Sequence, residues 1–125
     1  MINEKTRTVL ICDDEPLMRE LTAALLENQG FLVLQAENAD QLFASLETKQ
    51  PDAIILDVMM PGQNGFQVCR KLRADPATAN IPVIMATAKD ESIDRYWAAE
   101  VGVNAYLSKP FDDDELCAAL AECLP

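Results

Sequence analysis

Three acids and two further polar residues stand at the ends of apolar runs in this 125-residue sequence, where they could form one chemical site. Asp13 and Asp14 follow the run "TVLIC", and Asp57 follows "AIIL". Thr87 and Lys109 follow "IPVIMA" and "AYLS". Two like charges repel by roughly 4 kcal/mol when they are about 4 Å apart at an effective dielectric of about 20. A cluster of these three carboxylates therefore requires compensating cations.

The chemistry that such a cluster supports is metal-assisted phosphoryl transfer. Lys109 would offset one of the three negative charges, and the remaining two match a divalent cation with oxygen ligands, such as Mg²⁺ or Mn²⁺. Asp57 could then act as the nucleophile toward a phosphoryl group, because carboxylates form aspartyl phosphates. Lys109 and the Thr87 hydroxyl could stabilise charge on the phosphoryl oxygens.

Each of these residues also has an ordinary explanation. Asp14 or Glu15 could cap a helix whose first turn contains Pro16, and Asp57 could be a turn residue. Thr87 could be a β-branched residue at a strand end, and Lys109 an exposed lysine. Convergence of all of them on one edge of a sheet favours a functional site.

The elements that must position these residues alternate along the chain. Apolar runs predict strands at 8–12, 31–36, 53–57, 81–86 and 105–108. A helical pattern follows each strand. The first helix has Leu17, Leu21, Ala24 and Leu25 on its apolar face, and the next two lie at 39–48 and about 65–73. The fourth contains Ile93, Trp97 and Val101, and the last is capped by Asp112. This alternation predicts an α/β fold whose parallel sheet is covered on both faces, with ligands at the carboxyl ends of the strands.

Composition excludes several classes of function. The formal net charge of -11 argues against direct binding to nucleic acid. The four cysteines lack metal-binding spacing and no histidine is present, which excludes a zinc site and means that any phosphohistidine must come from a partner. No apolar run is long enough to insert into a membrane, and we expect a cytoplasmic protein with a single domain over residues 1–125.

Four segments, "ICDDEP", "IILDVMMPGQNGF", "IPVIMATA" and "AYLSKPF", resemble the signatures of the receiver (CheY-like) domain of two-component response regulators. The resemblance covers essentially the whole chain. It implies a (βα)5 flavodoxin-like three-layer sandwich with strand order 2-1-3-4-5. It also implies a signalling phosphoswitch that catalyses only its own phosphorylation and dephosphorylation.

The resemblance assigns roles around the metal. Asp57 matches the phosphoacceptor and also contacts Mg²⁺. Asp14 matches the direct metal ligand, and Asp13 matches its neighbour, which acts through a water molecule. Met59 would contribute its backbone carbonyl to the metal.

The resemblance also assigns a switch. Thr87 matches the switch hydroxyl, Lys109 the lysine that pairs with the phosphoryl group, and Tyr106 the aromatic residue that turns inward on activation. The bond between Lys109 and Pro110 is typically cis in this family. The implied phosphodonor is a sensor histidine kinase or a histidine phosphotransfer protein, and the implied output partner binds the face formed by the fourth helix, the fifth strand and the fifth helix.

Several alternatives remain beside a stand-alone phosphorylated regulator. An aspartate-nucleophile phosphatase would need an acid where Met59 stands, and a flavodoxin-like electron carrier would need a phosphate loop where Asp13 and Asp14 stand. A phosphorelay intermediate, a receiver fragment of a larger regulator and a receiver-like module without phosphorylation stay open. The segment from Thr87 to Pro110 is similar to regulators of chemotaxis-type systems that control type IV pilus motility.

Overall fold

The computed structural model describes residues 6–88 and 98–124, which contain one sheet of five strands. The strands are β1 (Thr8–Cys12), β2 (Leu32–Ala36), β3 (Ala53–Asp57), β4 (Val83–Thr87) and β5 (Ala105–Ser108). The helices are α1 (Pro16–Asn28), α2 (Ala39–Thr48), α3 (Gly65–Ala74), α4, whose described part is residues 98–100, and α5 (Asp113–Cys123).

The sheet has the predicted order β2-β1-β3-β4-β5, and all of its strand pairs are parallel. The fold class is therefore confirmed. β3 lies at the centre, so that Asp57 ends the strand between β1 and β4. Two strand boundaries differ slightly from the predicted ones: β2 begins at Leu32, and β4 runs from Val83 to Thr87. Pro82 stands just before β4, where its lack of an N–H donor breaks no ladder bond.

The uninterrupted apolar character of β1, β3 and β4 reflects burial of the sheet on both faces. Alternate residues of each strand enter two separate core clusters, because successive side chains of a strand point to opposite faces. One cluster packs with α2, α3 and α4 and includes Leu10, Leu42, Leu56, Leu72 and Ala98. The other packs with α1 and α5 and includes Ile11, Leu26, Ile55, Leu107 and Leu116.

Helix α1 differs from the sequence prediction in the face that it buries. Leu17 and Leu21 of the predicted apolar face are 68% and 52% exposed, and Ala24 is exposed as well. The residues that α1 buries are Arg19, Thr22, Ala23 and Leu26. The polar side chains of this set can be buried because the end of β2 offers polar partners to Arg19.

Helices α2, α3 and α5 follow the predicted pattern. The last helix has the predicted capping box, in which Asp112 and Glu115 bond reciprocally to each other's backbone N–H. For the fourth helix, Ile93 and Trp97 lie outside the described residues, whereas Val101 is buried as expected. Within residues 6–88 and 98–124, none of the helices has the length and apolar character that crossing a bilayer requires.

Candidate functional site

The three predicted acids meet at the carboxyl edge of the sheet. Asp13 and Asp14 directly follow β1, and Asp57 ends the neighbouring β3. Each of the three carboxylates offers an oxygen, and these oxygens all lie within 4.8 Å of one another. The parallel sheet therefore brings together acids that are more than forty residues apart in the chain.

Lys109 joins this cluster from the end of β5. Its Nζ lies 2.7 Å from Oδ2 of Asp13 and 3.5 Å from Oδ2 of Asp57. The backbone N–H of Lys109 donates to the carbonyl of Thr87 at 2.8 Å, and the bond from Lys109 to Pro110 is cis, as predicted. Lys109 thus contacts two of the three acids directly.

Asp13 and Asp14 have different surroundings although they are adjacent. Asp13 is buried, and its two carboxylate oxygens accept separate hydrogen bonds, from the Glu15 N–H at 2.9 Å and from Lys109. Asp14 is exposed, and no hydrogen bond to its carboxylate is found among residues 6–88 and 98–124. The Asp13 carboxylate is therefore engaged in hydrogen bonds, whereas the Asp14 carboxylate is accessible.

Asp57 is held by the loop that follows it and by the start of α3. Its side chain is buried and accepts a hydrogen bond from the Met59 N–H at 3.3 Å. Gly65 begins α3 so close to β3 that an added Cβ would lie 2.6 Å from the Asp57 carbonyl oxygen. Glycine is required at this position because any larger residue would push the helix away from the acid.

Burial and crowding of negative charge together determine the electrostatics of the site. Burial raises the pKa of Asp57 to about 6; Lys109 and the Met59 N–H oppose this shift, and the charges of Asp13 and Asp14 add to it. For Lys109, burial disfavours the ammonium, but the hydrogen bond to Asp13 and the charge of Asp57 raise its pKa above the ordinary value. One lysine therefore leaves the three carboxylates incompletely compensated.

These residues fit a divalent metal ion. The donor set consists of carboxylate oxygens, which are the ligands that Mg²⁺ and Mn²⁺ prefer. The charges of Asp13 and Asp14 disfavour ionisation of Asp57 and raise its pKa, a repulsion that a bound cation would relieve. The role of the Met59 backbone carbonyl as a further ligand stays a prediction.

Thr87 lies on β4, the strand next to Asp57, and Tyr106 lies on β5, one strand further out. Thr87 ends β4, is fully buried and pairs in register with Ser108 of β5. Tyr106 is half-buried and packs against the core cluster that contains Ala98 and Val101 of the α4 region. The structure therefore brings Thr87 to the same edge as the acids and packs Tyr106 against the core cluster to which Ala98 of α4 also belongs.

Arg19 is a residue of this region that sequence reasoning missed. Its side chain is buried, and Nη1 donates to the backbone carbonyl of Asp13 at 2.8 Å. Gln35 and Glu37, at the end of the neighbouring β2, supply its other partners. The available signal was the pair of polar residues Gln35 and Glu37 at the end of the strand next to β1, together with an arginine five positions after Asp14.

A family comparison agrees with this geometry. Residues 9–121 match the response regulator receiver domain. The chain belongs to this family. The match includes both ends of the acid site, from the strand before Asp13 to the helix after Lys109.

Relatives of two lengths share this domain. Protein PilH of Pseudomonas aeruginosa is 42% identical over 108 residues, which are 86% of the chain and 89% of PilH. The phosphate regulon transcriptional regulatory protein PhoB of the same organism is 43% identical over 118 residues, which are 94% of the chain and 52% of PhoB. The chain thus spans about half the length of PhoB.

A solved structure confirms the fold. The chemotaxis protein CheY4 of Vibrio cholerae superposes with a TM-score of 0.91 at 27% identity, covering 96% of this chain and 100% of that one. The predicted family, the flavodoxin-like fold and the resemblance to CheY are therefore confirmed.

Proposed function

We propose that this receiver domain accepts a phosphoryl group on Asp57 in a Mg²⁺-dependent reaction and signals through the α4-β5-α5 face. The observation that carries the proposal is the grouping of Asp57 with two further acids and a lysine at the centre of the carboxyl edge. Folds of this type bind ligands at that edge, where the strand order reverses.

The phosphodonor must contribute its own histidine, because the chain contains none. A carboxylate oxygen of Asp57 attacks the phosphorus of a phosphohistidine, the P–O bond forms, and the P–N bond breaks with its electron pair returning to the imidazole nitrogen. Asp57 must be ionised to attack, and a pKa of about 6 leaves most of it ionised at neutral pH. Attack of water on the same phosphorus returns Asp57 and inorganic phosphate.

Asp14, Asp57 and the Met59 carbonyl would hold the metal directly, and Asp13 would hold it through water. When bound, Mg²⁺ would offset the charge of the acids and of the phosphoryl oxygens. Lys109 lies 3.5 Å from Asp57, so that a small movement of its ammonium brings it to a phosphoryl oxygen.

The proposed switch starts from Thr87 and ends at α4. The Thr87 hydroxyl donates to a phosphoryl oxygen, and Tyr106 moves toward the space that Thr87 leaves. Because Tyr106 packs in the same cluster as Ala98 and Val101, its movement changes the packing of α4 and hence the face that a partner binds. The similarity to the chemotaxis protein CheY4 supports a partner in motility or taxis.

Exposed apolar side chains beside the acids support docking of a protein phosphodonor. Leu17 and Leu21 lie one turn apart on α1, which begins two residues after Asp14, and Met59 lies two residues after Asp57 and is also exposed. Exposed apolar surface of this kind marks protein interaction sites. We propose that a histidine kinase or histidine phosphotransfer protein covers these residues.

The function is tested with acetyl phosphate, with and without Mg²⁺, on wild type and Asp57→Asn. We expect phosphorylated wild-type protein only with Mg²⁺ and none with Asp57→Asn. Equal phosphorylation of the two proteins would contradict the proposal.

Donor docking is tested by transfer from a phosphorylated histidine phosphotransfer domain to Leu21→Ala. We expect slower transfer from this protein donor and an unchanged rate with acetyl phosphate. Leu32→Ala is the matched control, because Leu32 is as exposed as Leu21 but starts β2 at the opposite edge of the sheet. Equal slowing by the two substitutions would contradict docking on α1.

A further inference from the structure

Arg19 is a buried cation with no buried carboxylate as its partner among residues 6–88 and 98–124. It is 9% exposed, and within these residues the carboxylate at ion-pair distance is that of Glu37, 3.5 Å away, whose side chain is 58% exposed. Ion pairs with an exposed partner contribute little to stability. Burial of an arginine is costly unless its donors are used, so the contacts of its guanidinium indicate its role.

The shortest contact of Arg19 is made to the backbone behind the acid site. Nη1 donates to the carbonyl oxygen of Asp13 at 2.8 Å, and Nε donates to Oε1 of Gln35 at 3.2 Å. Gln35 of β2 thereby orients the planar guanidinium, and the guanidinium holds the carbonyl of Asp13, directly after β1. Arg19 contacts the backbone of Asp13, whereas Lys109 contacts the carboxylates of Asp13 and Asp57.

The bond to the Asp13 carbonyl fixes the peptide unit that connects Asp13 to Asp14. A trans peptide is planar, so holding its carbonyl also sets the direction of the Asp14 N–H and the position of the Asp14 Cα. The Asp13 carboxylate has two other supports, the Glu15 N–H and Lys109. The exposed Asp14 carboxylate has no such support among the described residues, and its direction depends on the backbone that Arg19 holds.

We propose that Arg19 is a positioning residue that orients the Asp13–Asp14 peptide and thereby directs the Asp14 carboxylate toward the metal. The inference rests on the proposed function, in which Asp14 is a direct ligand. Partners that orient metal ligands typically change metal affinity about 10-fold to 100-fold when they are removed. Arg19 acts through Asp14 and contacts neither the metal nor the phosphoryl group.

The experiment measures Mn²⁺ binding to metal-free protein by the loss of the electron paramagnetic resonance signal of free Mn²⁺. We expect Arg19→Met to raise the Kd at least about 10-fold. Arg19→Lys keeps one donor for the Asp13 carbonyl and should lie between Arg19→Met and wild type. Two variants serve as controls: Glu37→Gln removes the exposed ion-pair partner of Arg19, and Arg70→Met makes the same change at an exposed arginine of α3. The Kd of both for Mn²⁺ should stay within about 2-fold of wild type, because neither residue contacts the Asp13 carbonyl.

A second readout separates positioning from a general loss of structure. We expect Arg19→Met to need more Mg²⁺ for half-maximal phosphorylation by acetyl phosphate, with nearly the wild-type rate at saturating Mg²⁺. Wild-type Mn²⁺ affinity in Arg19→Met would overturn the inference, as would equal weakening by Glu37→Gln. If Arg19→Met does not fold, Arg19→Lys decides. Wild-type Mn²⁺ affinity and an unchanged Mg²⁺ requirement in Arg19→Lys would overturn the inference, and a weakened Mn²⁺ affinity would support it. Failure of wild type both to bind Mn²⁺ and to become phosphorylated would instead contradict the proposed function itself.

Discussion

Helices α1 and α3 both begin just after a strand that delivers acids to the site, but they are built in opposite ways. α3 buries Val68, Cys69 and Leu72, and it starts with a capping box formed by Asn64 and Gln67. α1 exposes two leucines, buries an arginine, and has an N-cap residue, Glu15, whose side chain makes no capping hydrogen bond.

This difference agrees with a stabilising role of α3 and with the proposed docking of a phosphodonor on α1. α3 satisfies the local rules of capping and amphipathic burial together, as expected for an element that supports Asp57. α1 departs from them at the residues nearest the acid pair. Such departures are expected where the surface or the buried contacts of a helix serve function.

Truncation of one leucine in each helix should give the largest difference in the free energy of unfolding between α3 and α1. We expect Leu72→Ala in α3 to lower the free energy of unfolding by about 2–5 kcal/mol, because it leaves a cavity in the core. Leu21→Ala in α1 should lower it by less than about 1 kcal/mol, because this side chain is half exposed. Urea unfolding of the two variants measures both values. Equal losses would mean that the apolar face of α1 packs against the core after all.

The first residues of the two helices provide a second contrast. Gly65→Ala would place a Cβ 2.6 Å from the Asp57 carbonyl oxygen, and we expect a loss of about 1–3 kcal/mol from the required backbone shift. Pro16→Ala, at the first position of α1, should cost less than about 1 kcal/mol, since Pro16 is exposed. Thermal unfolding measures both effects. A fully stable Gly65→Ala would show that α3 does not approach β3 as closely as described.

The acids that precede the two helices should respond differently to pH. In metal-free protein, the pKa of Asp57 is raised from 3.8 to about 6, so the folded state binds more protons than the unfolded state between these values. The free energy of unfolding therefore falls as the pH rises through this range. Asp57→Asn removes this cost and should stabilise the protein by about 1–3 kcal/mol at pH 7.5 but not near pH 4.

Asp14→Asn is the matched control for this pH effect. Asp14 is exposed, so we expect its substitution to change stability by less than about 0.5 kcal/mol at either pH. Denaturant unfolding in the presence of a chelator measures both variants. Destabilisation by Asp57→Asn at pH 7.5 would contradict the incomplete compensation of the acid cluster.

Removal of the two N-caps should give the smallest contrast. We expect Asn64→Ala to cost about 1 kcal/mol, because the Asn64 side chain accepts a hydrogen bond from the Gln67 N–H. Glu15→Ala should cost only a few tenths of a kcal/mol, because no side-chain cap is lost. Thermal denaturation of both variants measures the difference, and a larger loss for Glu15→Ala would mean that α1 depends on its cap.

The sequence predicted most of the fold and of the acid site for physical reasons. Strands buried on both faces need continuous apolar runs, so β1, β3 and β4 could be located, and polar residues after such runs must lie at one edge of a parallel sheet. Asp13, Asp14, Asp57 and Lys109 were therefore identified without a structure.

The buried face of α1 could not be predicted in the same way. Helical periodicity assigns the apolar side to the core, but here Leu17 and Leu21 are exposed, and only Leu25 of the predicted leucines packs against the core. Arg19 is buried because its guanidinium finds the Asp13 carbonyl and Gln35, which lie on different strands. Contacts between residues that are distant in the sequence cannot be recognised from the periodicity of one helix.

The central claim is that Asp57, among three clustered carboxylates, is the phosphoacceptor. It is tested most directly by phosphorylating the wild-type protein with acetyl phosphate and Mg²⁺, reducing the acyl phosphate with borohydride and locating the modified residue by tandem mass spectrometry. We predict reduction of the side chain at Asp57 alone, and none when Mg²⁺ is omitted. Modification at Asp13 or Asp14, or at no aspartate, would contradict the account.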